Sequence, residues 1–150
     1  MKKIALFLSL ALLITSCGSI KSSLKNVDNT APAPVVKNNA FVITAYSKDK
    51  KYGYNKDYPI NIYYRGTKND TINQRYFINA LAGPKGEKIT YKKLENCCPF
   101  PTKNSDMGAG FLDVYELKWE GLKTPIILYL NIYERGQLMV PLGLSLKKVN

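Results

Sequence analysis

Only one stretch of this chain, residues 70–82, carries apolar residues at helical spacing; from residue 41 onward the rest reads mostly as strands between Gly, Pro and Asn breaks. In the helical stretch, Ile72, Tyr76, Phe77, Ala80 and Leu81 fall on one face, Thr71 and Gln74 have capping-box spacing, and Gly83-Pro84 closes it. The runs read as strands are residues 41–46, β-branched and aromatic, 125–133, nearly all apolar, and 58–65, 87–93, 111–119 and 138–146, which alternate. Residues 125–133 form the most apolar run and belong at the centre of a sheet. Pro59 and Pro141 mark edges or strand starts. Residues 48–57 and 94–110 read as irregular loops. The expected fold class is α+β: a mostly antiparallel β-sheet of five to seven strands with one amphipathic helix packed on it.

The first residues define an address. Lys2 and Lys3 precede an apolar run, residues 4–14, interrupted only by Ser9. That run is about half of the roughly 20 residues a membrane-spanning helix needs, so residues 1–16 read as a signal peptide. Ile14-Thr15-Ser16-Cys17 resembles the lipobox of bacterial lipoproteins. In that family the cut falls before the cysteine, whose sulfur carries diacylglycerol and whose amine takes a fatty acid such as palmitate. The resemblance implies lipidation of Cys17, with the bilayer as a partner; multiple acyl chains exceed what stable anchoring requires. Gly18, rather than Asp, follows the cysteine, which by the family's sorting pattern implies an outer-membrane anchor facing the periplasm.

Residues 17–39, rich in Ser, Asn, Ala and Pro, read as the acylated cysteine and a flexible tether. Residues 40–150 are left as a single domain, large enough for one core. The net charge of +11 becomes 20 − 11 = +9 once Lys2 and Lys3 leave with the signal. A basic surface in an envelope points to anionic lipid head groups, acidic glycans or an envelope protein, and not to nucleic acid. The chain contains 0 His, which excludes His-based triads and His metal sites; neither metal nor cofactor is expected.

Cys97 and Cys98 are adjacent and, with Cys17 acylated, have only each other or another chain to pair with. Their Cα atoms lie about 3.8 Å apart across a trans peptide, short of the usual 4.4–6.8 Å of disulfides. Three states stay open: a vicinal disulfide, two buried thiols, or an intermolecular bond. A vicinal bond would support a thiol-dependent redox role, although no Cys-x-x-Cys motif is present. Glu116 and Glu120 sit near a hairpin end, but a glycosidase pair needs a deep cleft that a sheet of this size rarely offers. No catalytic residue is assigned.

Residues 61–66 and 131–136 agree at five of six positions: Asn-Ile-Tyr, then Tyr or Glu, then Arg-Gly. Their flanks differ, so the echo reads as shared strand–turn chemistry rather than duplication. On these runs Tyr63, Tyr129 and Tyr133, with Asn61, Arg65 and Asn131, form a candidate exposed surface for glycan, peptide or protein; the alternative is half-buried sheet tyrosines.

Residues 76–91, 97–100, 111–116 and 127–133 resemble a family of small lipoproteins of flavobacterial-type bacteria. Some members are labelled 2-dehydro-3-deoxyphosphooctonate aldolase, an activity housed in a TIM barrel of typically about 250 residues, which a domain of this size cannot form. The resemblance implies a membrane-anchored envelope lipoprotein with a non-catalytic binding or structural domain. The alternatives are the redox role of Cys97 and Cys98, and an inhibitor or immunity-type protein that caps a partner.

Overall fold

A computed structural model of the chain describes residues 21–63 and 70–148, without the side chains of residues 70 and 71. The signal segment, Cys17 and Arg65 lie outside the described residues. Among the described residues, ten strands and one helix follow in chain order: β1 (Val36–Lys37), β2 (Ala40–Phe41), β3 (Ala45–Tyr46), β4 (Ile60–Asn61), α1 (Asp70–Asn79), β5 (Leu81–Ala82), β6 (Thr90–Pro101), β7 (Ala109–Lys118), β8 (Ile126–Asn131), β9 (Met139–Val140) and β10 (Ser145–Leu146). The fold is α+β, with antiparallel pairing dominant and two parallel pairs, β3–β9 and β4–β8.

The central sheet has the order β4-β8-β7-β6. The apolar run of residues 125–133 does become an inner strand, β8, flanked by β4 in parallel and β7 in antiparallel register. Helix α1 packs beside β2 and β5 and reaches β7 of the sheet through Gln74. Its Phe77 and Ile78 enter a core that includes Ile60, Ile62, Leu117, Leu128 and Leu130, and Tyr76 meets Phe41 edge-on at 5.5 Å between centroids. A fully buried Ile or Leu of this kind contributes roughly 1.5–3 kcal/mol relative to exposure. The inward face of α1 is not purely apolar, because Asn73 and Gln74 are buried on it as well.

Three expectations are corrected. The loop read over residues 94–110 is mostly strand: β6 runs to Pro101 and β7 resumes at Ala109, so only residues 102–108 turn. The runs at 41–46 and 138–146 are each broken in two, the second at residues 141–144, where Gly143 takes φ 89° and the Leu144 amide donates to the Pro141 carbonyl. Residues 17–39 are not tether throughout. From Lys25 the chain is hydrogen-bonded into the domain: the Lys25 amide donates to the Asp57 carbonyl and the Asp28 amide to the Arg135 carbonyl. Ala31 is buried, and β1 pairs with β2 through the Asn38-Asn39 turn, both residues at positive φ.

The loop at residues 48–57 also folds inward. Tyr52 is fully buried, with its ring edge-on to Tyr58 and its hydroxyl accepting from the Met139 amide. Gly53 takes φ 79° beneath it, where a Cβ would stand 2.9 Å from Ile60 Cδ1. Its carbonyl accepts from the Tyr129 amide and so straps the loop onto β8.

Candidate functional site

The structure joins Cys97 to Cys98 in a vicinal disulfide. The bond lies in a β-bulge: Cys97 faces Leu112 and Phe100 faces Gly110, so β6 spends three steps where β7 spends two. Cys98 holds the bulge at φ 59°, a left-handed conformation uncommon for non-glycine residues. Both cysteines are half-buried. The nearby lysines are engaged elsewhere. Lys93 Nζ lies 2.6 Å from Asp113 and Lys92 Nζ lies 3.5 Å from Glu116. Glu116 is further bound by Lys118 at 2.9 Å. The Lys118 hydrogen bond, against a smaller desolvation, holds the Glu116 carboxyl below its ordinary range, the wrong direction for a glycosidase acid.

The expected tyrosine–asparagine surface separates into two parts. Asn61 and Asn131 are fully buried and face each other across the parallel β4–β8 pair, in register. Asn131 Nδ2 donates to Asn61 Oδ1 at 2.9 Å, while Asn61 Nδ2 donates to the carbonyls of Lys25 and Asn26 at 3.0 and 2.8 Å. They are internal staples rather than ligand contacts, and they explain the sequence echo: its two copies start side by side in the sheet. Gly136 completes the arrangement, since a Cβ there would sit 2.1 Å from the Asn26 carbonyl oxygen. Tyr63, Tyr129 and Tyr133 stay half-buried, and the Tyr133 ring packs edge-on against Phe100.

Two buried carboxylates escaped the sequence reading. Asp113 lies between α1 and β6, taking hydrogen bonds from Gln74 Nε2 and, at 2.7 Å, Asn96 Nδ2 beside its ion pair with Lys93. Gln74 in turn accepts from the Tyr115 hydroxyl at 2.6 Å. Burial first, then the charge of Asp113, pushes the Tyr115 phenol up to about 12. Glu134 accepts from Thr102 Oγ1 at 2.6 Å, Asn104 Nδ2 at 3.2 Å and Asn29 Nδ2 at 3.3 Å. Each network satisfies its carboxylate with donors from distant segments, which ties the fold together and leaves little free for a substrate.

A different place is open. Where the β1–β2 hairpin meets the end of α1 and β10, a groove of about 550 Å³ is lined by Phe41, Ile43 and Leu146 and ringed by Lys37, Lys147 and Lys148. That volume falls within the range of about 300–1,000 Å³ of small-ligand sites. Among the described residues no Asp or Glu lines it, and all three lysines are exposed. Asn79 Nδ2 fixes one wall by donating to the Asn39 carbonyl at 3.0 Å. Lysines this far apart in sequence give no local signal; the β5–β10 pairing and the hairpin bring them together.

The molecule is therefore an α+β domain with a basic, apolar-floored groove and two buried carboxylate networks. No family model matches the chain, and neither a curated protein nor a solved structure matches it.

Proposed function

We propose that this protein is an envelope lipoprotein, anchored through acylated Cys17 to the outer membrane on its periplasmic side, whose domain binds rather than transforms its partner. The observation that carries the reading is Cys17 placed directly after Ile14-Thr15-Ser16 at the end of a short apolar run. Support for a non-catalytic domain comes from the carboxylates: Asp113 and Glu134 are enclosed in hydrogen bonds, and Glu116 is held ionised by Lys118. The test is intact mass on protein purified from its native membranes. A chain starting at Cys17 and heavier by a diacylglycerol and a fatty acid is expected; an unmodified Cys17 overturns the anchor.

A second reading, a thiol-dependent redox role, is favoured by one observation: the Cys97–Cys98 bond occupies a half-buried bulge on the outer strand of the sheet. Alkylation of both thiols without prior reduction would remove it.

A further inference from the structure

We propose that the groove and the adjoining β1–β2 hairpin form a face that docks on a bilayer and takes acidic phospholipid head groups. The proposal rests on the lipoprotein reading for its geometry, and on the groove for its chemistry. Lys37, Lys147 and Lys148 surround an apolar lining that, among the described residues, contains no carboxylate, a pairing that suits a phosphate over hydrocarbon. The hairpin beside it carries three exposed valines, Val35, Val36 and Val42, at 69%, 45% and 48% exposure. The Val42 amide donates to the Val35 carbonyl, so the apolar strip is held on ordered backbone. Exposed Leu94 on β6 lacks this combination: it stands next to Glu95, and the neighbouring Lys92 and Lys93 are spent on Glu116 and Asp113.

Chain length supplies the third argument. Because docking begins at Lys25, only eight residues separate it from Cys17 (25 − 17 = 8). Fully extended, that leash reaches at most about 28 Å, comparable to the width of the domain itself. An anchored domain so short of slack keeps one of its faces against the membrane. The face whose cations have no acidic neighbour among the described residues, and whose apolar side chains are exposed, gains most from acidic lipid, by roughly fivefold per lysine.

The test is lysine acetylation footprinting of the full protein mixed with excess vesicles, either phosphatidylcholine alone or phosphatidylcholine with phosphatidylglycerol. Labelling at Lys37, Lys147 and Lys148 should slow by about tenfold only with the acidic lipid, while exposed Lys56, Lys103 and Lys123, which do not line the groove, keep their rates. Equal slowing at all six lysines, slowing in phosphatidylcholine alone, or no slowing in either would overturn the docking face. Intact mass on the same sample separates the two readings. Bare Cys17 with groove protection removes the anchor alone; acylated Cys17 without protection removes the docking face alone.

Discussion

Replacing Asn61 with Ala tests whether the N-terminal segment is part of the domain. The substitution removes two hydrogen bonds, to the carbonyls of Lys25 and Asn26, and strips the fully buried Asn131 amide of its acceptor. A buried donor left unpaired costs about 1–3 kcal/mol and each lost hydrogen bond about 1 kcal/mol, so the sum is at least about 3 kcal/mol. Hydrogen exchange reads it at two amides that report docking directly, Lys25 bonded to Asp57 and Asp28 bonded to Arg135. About 3 kcal/mol corresponds to exchange roughly 100-fold faster there. If the segment peels off alone, the Ile62 amide, bonded to Asn131, keeps its protection. If docking is integral to the fold, the urea midpoint also falls by about 1.5 M at an m-value near 2 kcal/mol/M. Gly136→Ala should reproduce the effect, because its Cβ would collide with the Asn26 carbonyl at 2.1 Å. Unchanged exchange at Lys25 and Asp28 together with an unchanged midpoint would refute the reasoning.

Two further outcomes are expected. Cys97→Ser with Cys98→Ser should cost only about 1 kcal/mol, near 5 °C in Tm, because a vicinal bond closes almost no loop in the unfolded chain; a loss above about 3 kcal/mol would mean that the bond does more than pin the bulge. Phenolate absorbance should show Tyr54 and Tyr115, pushed by burial to about 12, ionising last. Both phenols are raised from 10.0, so native stability is undiminished below pH 10 and declines as pH rises from there through about 12. Tyr115→Phe should remove one late step, and a single titration of all tyrosines near 10 would contradict the burial of these two.

The α+β class, the helix and the inner position of β8 were legible because each rests on periodicity within one segment. The strand at residues 94–101 was not, because Cys97-Cys98-Pro99 and Pro101 read as loop chemistry. Prolines are tolerated there since β6 is the outer strand of its sheet and the bulge absorbs the mismatch with β7. Asn61 and Asn131 read as part of an exposed surface, because period two cannot say what covers a strand's second face. The cover here is residues 25 and 26, which composition alone assigns to a tether. Gln74 fits a capping box in sequence, but its side chain turns inward to Asp113 and Tyr115, contacts 39 and 41 residues away that no local pattern encodes. The groove lysines were invisible for the same reason.

The docked segment links the two proposals. A tether free up to residue 40 would give 23 residues between anchor and domain, about 80 Å at full extension, against about 28 Å for eight. For a flexible leash the local concentration of a tethered surface falls roughly as the −3/2 power of length, so docking at Lys25 raises it about fivefold (23/8 to the power 3/2). Asn61 thus acts on the groove without lining it. Loss of its hold on Lys25 and Asn26 should lower acidic-lipid protection at Lys37, Lys147 and Lys148 by at most about fourfold (19/8 to the power 3/2), because β1 still pairs with β2 from Val36 onward and the lysines themselves are intact. Protection that is insensitive to Asn61 would mean that the face finds the bilayer by charge alone, and that the short leash serves only to keep the domain near its anchor.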